Sequence, residues 1–200
     1  MILSLRLLRT VLNAKPNNTN SICHSIPYFT RFAAIQKEKQ EAIRKALQLL
    51  RPVVCKQLEK IRLGNAFDGG YVVPKRSLQC DVVISIGVGP DVSFEDSELA
   101  SFEVIVCELH CCDQLKEEAF RNQFSHAIAK LTKNHAPLHL HGNNYGVLCT
   151  VEGVPVPAVL ELTLLRRDLG DFEGISHEPI PGPLDNPNRP DRPDLCLNPL

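Results

Sequence analysis

The sequence has no tryptophan and few aromatic residues of any kind, 6% in all, which removes the stacking platforms that bind single-stranded nucleic acid. It has no excess of either charge: 22 Lys and Arg stand against 23 Asp and Glu, so no global field favours a polyanion and no nucleic-acid partner is expected. No apolar run approaches the roughly 18 residues of a spanning helix, so no membrane span is expected either. The eight cysteines include no C-x-x-C pair. Several lie inside apolar stretches, such as Cys107 in FEVIVCEL, where a thiol behaves as a small buried hydrophobe. Such spacing gives neither a disulfide framework nor a zinc ribbon, and the reading is a reduced, intracellular, cytoplasmic chain. Acid is missing from residues 1–37, which carry Arg6, Arg9, Lys15, Arg31 and Lys37. With its recurring Ser and Thr, that composition fits a basic, flexible extension over residues 1–32, or an organelle transit segment as the alternative location.

What remains is the composition of a soluble domain, 44% apolar and 22% charged, expected over residues 33–175. AAIQKEKQEAIRKALQLL (33–50) is rich in helix formers with helically spaced apolar positions, and VVCKQLEKIRL is expected to add one or two helical turns. Asp68-Gly69-Gly70 reads as a turn into a short strand at 71–73. DVVISIGVGPD holds an apolar run, 82–86, that breaks into Gly87-x-Gly89, as strands buried on both faces do. A short helix and a second buried strand, 103–109, follow. Residues 114–133 form an amphipathic helix, 138–140 a strand, and HGNNYG a turn. Two more strands, 148–151 and 158–166, are expected to pair as a hairpin across Gly153, Pro155 and Pro157. Seven of the fifteen prolines fall in residues 176–200, which excludes regular structure from that tail. The pattern implies an α/β domain with a mainly parallel sheet and a carboxy-terminal antiparallel pair. Strand 82–86 should lie parallel to strand 103–109.

Candidate chemistry gathers at the expected strand ends. Gly-x-Gly before a helix lets backbone approach a nucleotide-like ligand, although the G-x-G-x-D found here lacks the third glycine of the dinucleotide fingerprint. Glu108 with His110, and His139 with His141, form two same-face pairs near Asn143. A histidine there could act as a general base. Its plainer role would be to bond its neighbours and hold the HGNNYG turn. Cys111 and Cys112 could join these groups in a zinc site or act as nucleophiles. Their spacing is not that of ligands and nothing identifiable lowers their pKa, so no metal is expected.

Several segments, taken together, resemble one family. DGGYVVP (68–74), SIGVGPDVSFE (85–95), FEVIVCELH (102–110), LHLHGNNYG (138–146) and VLELTLLRRD (159–168) follow the order found in FkbM-like methyltransferase-domain proteins, and PIPGPLDNPNRPDRPDL (179–195) is similar to their tail. The resemblance implies a class I, Rossmann-like methyltransferase sheet with S-adenosylmethionine as cofactor. Gly87, Gly89 and Asp91 would line that cofactor; the catalytic candidates beside it, Glu108, His110 and His141, come from strand parity. It also implies methyl transfer to oxygen on a small-molecule or glycan-like acceptor. The chain departs from the family at one place: about 80 residues, room for two or three βα units, are missing between SIGVGPDVSFE and FEVIVCELH. With them go the acidic residue that grips the ribose and the Asp-Ile-Glu-Gly motif near the reaction centre. The alternative is therefore a non-catalytic, internally deleted remnant or splice variant that acts at most as a binding module.

Overall fold

The computed structural model describes residues 26–79, 82–88 and 102–197. The chain divides into two compact units, Met1–Glu38 and Lys39–Leu200. Of the first, the opening part of helix α1 (Ile26–Gln48) is described. The second unit carries the rest.

Its centre is a four-stranded sheet. β4 (Val82–Val88) lies parallel to β5 (Val104–Leu109). β9 (Leu160–Arg166) runs antiparallel between β5 and β6 (His135–Gly142). The other sheets are two-stranded and antiparallel. They pair β1 (Val53–Cys55) with β10 (Phe172–Ile175), β2 (Lys60–Gly64) with β3 (Gly70–Pro74), and β7 (Leu148–Val151) with β8 (Val154–Pro157).

The expected mainly parallel, class I methyltransferase sheet is therefore not what the chain forms. Among the described residues β4–β5 is the parallel pair, and every other pairing is antiparallel. The reason lies in the connections, because a parallel return needs a crossover of about a dozen residues or more. Residues 143–159, between β6 and β9, are taken up by the β7–β8 hairpin and not by a crossover helix, so β9 returns antiparallel beside β6. The carboxy-terminal hairpin also differs from expectation. β7 pairs with Val154–Pro157 and not with residues 158–166. Its two-residue turn has Glu152 at φ 47° and Gly153 at φ 85°, the left-handed pair that suits the twist of a tight hairpin. Pro155 and Pro157 thus sit in a strand, where a two-stranded ribbon leaves the missing N–H unneeded. VVCKQLEKIRL, expected as helix, forms β1 and β2, because its Val and Ile side chains find strand partners in β10 and β3.

Side-chain alternation gives the sheet two faces. Ile105, Cys107, Leu109, Leu140, Leu160, Leu162 and Leu164 point to one face and join the main core. They pack with Ile43, Ala46, Leu47 and Leu50, spaced along and just beyond α1, and with Phe124 and Ile128 of α2 (Glu118–Asn134). Each fully buried leucine contributes about 1.5–3 kcal/mol. The other face carries Val104, Val106 and Leu165 against Val73 and Tyr71 of β3. Thr163 donates its hydroxyl to the Val72 carbonyl at 2.8 Å, tying β9 to β3. Toward the ends of β5 and β6 this second face turns polar.

Candidate functional site

The polar end is a row across three strands. Glu108 on β5 is in register with Glu161 on β9, which is in register with His141 on β6. Neighbouring strands lie about 4.8 Å apart, so the three backbones span about 10 Å. β4, β5 and β6 all end at this edge. Val88 of β4 is level with Leu109, which brings Gly87 to the same margin. Gly89 and Asp91 lie outside the described residues.

Two hydrogen-bond groups occupy the row. In the first, the Tyr71 hydroxyl donates to Glu108 Oε1 at 3.1 Å, while Glu108 Oε2 lies 3.2 Å from His110 Nε2. Glu108 is largely covered, 13% exposed, whereas the His110 side chain is 40% exposed. Burial, with the Glu108 charge beside it, pushes the Tyr71 hydroxyl far above its ordinary range, so it stays a donor. The carboxylate thus holds Nε2–H of an open imidazole, which leaves Nδ1 as the acceptor nitrogen.

The second group is closed. His141, 2% exposed, faces Glu161 Oε2 through Nδ1 at 3.2 Å and the Asp194 carboxylate through Nε2 at 3.0 and 3.1 Å. Burial alone would lower its pKa. The Glu161 hydrogen bond and the charges of Asp185, Asp194 and Glu161 outweigh that and raise it to about 9. The ring is an imidazolium with both N–H groups donating. Glu161 Oε1 also accepts from Asn143 at 3.0 Å and Asn188 at 2.7 Å. Asn143 Oδ1 in turn accepts the Tyr145 N–H at 2.9 Å.

The tail closes this group. His139 Nε2 lies 2.7 Å from Asp185 Oδ1. Burial would raise the Asp185 pKa, but the His139 hydrogen bond prevails and it falls below the ordinary carboxylate range. Asn144 Oδ1 takes the Arg189 N–H at 2.7 Å, and Asn144 Nδ2 donates to the Arg189 carbonyl at 3.0 Å.

Of the residues expected at the site, Glu108 and His110 are joined. His141 shares their sheet edge but belongs to the other group, with Asn143. Glu161, Tyr71, Asn144, Asp185, Asn188 and Asp194 were missed. Glu161 had a legible signal, a lone carboxylate in the apolar run LELTLL. The tail residues had none, since their partners lie some 27–53 positions away.

Of the described cysteines, Cys107 and Cys112 are buried, and Cys111 is part-exposed. Burial pushes the Cys107 and Cys112 thiols up to about 12, so neither is an ionised nucleophile at neutral pH. Among the described residues no three His, Cys, Asp or Glu side chains are placed to hold a metal ion, and no helix is long and apolar enough to cross a membrane. No protein-family model, curated protein or solved structure matches the chain.

Proposed function

We propose that the chain is an S-adenosylmethionine-dependent methyltransferase-like protein whose acid–base group is the Tyr71–Glu108–His110 relay. The order of motifs in the sequence supplies the reaction class; the sheet topology does not. The observation that carries the site is an open imidazole held by a covered carboxylate. Glu108 fixes the Nε2–H tautomer, so Nδ1 of His110 is free to take a proton from an acceptor hydroxyl. Tyr71 orients Glu108 and acts as a positioning residue. S-adenosylmethionine, when bound, supplies a methyl group on a positively charged sulfur. Gly87 fits such a ligand in one respect: it lacks a Cβ where β4 reaches the edge that His110 shares, and the β4–β5 register shifts between Ser85 and Val88. The acceptor would be a small molecule or glycan-like hydroxyl.

Calorimetric titration of the full chain with S-adenosylmethionine tests this. Saturable binding is expected, weakened at least about tenfold by Gly89→Val, which would set a branched side chain against the ligand. Absence of binding by the wild-type chain would overturn the proposal in favour of the second reading, a non-catalytic remnant acting as a binding module. That reading has its own support. His141, the second histidine at the edge, has no acceptor nitrogen to offer a substrate, because both of its nitrogens face carboxylates.

A further inference from the structure

β7 and β8 form a two-stranded ribbon, and its two outer edges differ. The tight turn makes Val151↔Val154 a hydrogen-bonded pair, so along the alternating antiparallel ladder Cys149↔Val156 is the next. The Val147 carbonyl carries the alternation on, accepting the Ala158 N–H at 2.9 Å. Thr150↔Pro155 and Leu148↔Pro157 are the pairs between, and their backbone groups point away from the partner strand. On β8 both outward positions are proline, so that edge offers no N–H. On β7, Leu148 and Thr150 keep both N–H and C=O, and among the described residues β7 has no strand partner besides β8.

The side chains agree with an open edge. One face of the ribbon, Cys149, Val151, Val154 and Val156, packs into the main core, which Cys112 and Leu115 of the turn after β5 also join. The other face leaves Leu148 48% exposed and Thr150 exposed, and the approach to β7 adds Tyr145 and Val147, 56% and 61% exposed. Edge strands are ordinarily guarded by charge, above all lysine, or by proline. Residues 145–151, YGVLCTV, contain neither. The next residue, Glu152, is taken by Lys39 at 3.2 Å. An uncharged strand does not repel its own copy. Set antiparallel about a two-fold axis at Cys149, two β7 strands bring Leu148 of each copy opposite Thr150 of the other, and the outward groups exchange N–H···O bonds at both places. In that register Glu152 falls opposite Gly146, so no charge meets a like charge.

We propose that the outer edge of β7 is an interaction surface for a second copy of this chain, joined by antiparallel β7–β7 pairing into a four-stranded ribbon. This surface does not depend on the methyl-transfer reading, since it uses neither His110 nor Gly87. A four-residue strand on each side is short beside the roughly 20–30 residues a side of a standard interface, so the dimer is reversible and forms at high protein concentration.

The test is a dilution series of the ¹⁵N-labelled full chain, from about 1 mM to about 10 μM, beside sedimentation equilibrium over the same range. The amides of Leu148 and Thr150 should shift along one concentration-dependent curve, and sedimentation should fit a monomer–dimer equilibrium with the same constant. The amides of Cys149 and Val151, already bonded to β8, should shift less. Thr150→Pro removes an N–H that the β7–β8 ladder does not use, and should weaken the dimer at least about tenfold. Leu148→Lys, which guards the edge with a charge, should weaken it likewise. A chain that stays monomeric at the highest concentration would overturn the proposal. So would a dimer in which the Leu148 and Thr150 amides do not shift, or one that both variants leave intact. If Thr150→Pro unfolds, Leu148→Lys and the wild-type dilution series decide the matter.

Discussion

His141 is the residue whose chemistry is most constrained by its surroundings. An imidazolium enclosed by Glu161 and Asp194 is a buried cation with its charge matched, and its folded pKa of about 9 lies above the ordinary 6.5. A group whose pKa rises on folding stabilises fully below its unfolded value, and that stabilisation is lost as pH climbs through the folded value. The window here is pH 6.5 to 9, and the stake is on the order of 3 kcal/mol. Urea melts at pH 7 and pH 10 should show the wild-type chain losing that much more than His141→Gln. Equal losses would show that the ring is not charged in the fold. At pH 7 the same variant should be destabilised by about 3–5 kcal/mol, because it leaves two covered carboxylates without their cation. His135 behaves oppositely. Burial holds its pKa down despite a 2.9 Å contact with the Phe102 carbonyl, so it is a neutral ring spending an N–H on backbone.

At the scale of elements, the apolar runs were legible and their directions were not. FEVIVCEL and LELTLL read as buried strands because most of their positions, on both faces, are apolar. The sequence carries no signal for the slotting of β9 between β5 and β6 in reverse, which goes with a β6–β9 connection filled by the β7–β8 hairpin in place of a crossover helix. VVCKQLEKIRL shows the same limit: its Lys, Gln, Leu and Glu favour helix, but edge pairing with β10 and β3 overrides propensity. Of the candidate site, the Glu108–His110 pair could be read from strand parity, whereas Tyr71, 37 residues away from Glu108, could not. The central place of β9 has a measurable consequence. Leu162 is 0% exposed, between Cys107 on one neighbour and Leu140 on the other, so Leu162→Ala should cost about 2–5 kcal/mol by chemical denaturation. In the β7–β8 hairpin, Gly153 sits at φ 85° and an added Cβ would come within 2.8 Å of the Gln40 amide. That side chain can move, so Gly153→Ala should cost only the left-handed penalty of about 1–2 kcal/mol.

For the second unit as a whole, the question is whether residues 176–197 belong to the same cooperative unit as the sheet. They contain no helix or strand, and what holds them is a set of side-chain bonds: Asp185 to His139, Asp194 to His141, Asn188 to Glu161, and the Arg189 backbone to Asn144. Apolar anchoring is slight, resting on Ile180 and Leu197, whose backbones also bond at 2.9 Å. Segments held by few apolar contacts open at lower free energy than the core they cover. The Asp185→Asn, Asp194→Asn double variant removes both charges that the tail presents to the histidines and keeps the size of each side chain. Amide exchange should then quicken at Gly182, Arg189 and Leu197, whose N–H groups are bonded in the intact tail. The amides of β5 and β9 should stay protected, because their ladder and the leucine core beneath it are untouched. If β9 instead lost protection in step with the tail, the polar row would be the keystone of the sheet. The two histidines would then be holding the central fold together as well as fastening a strap to it.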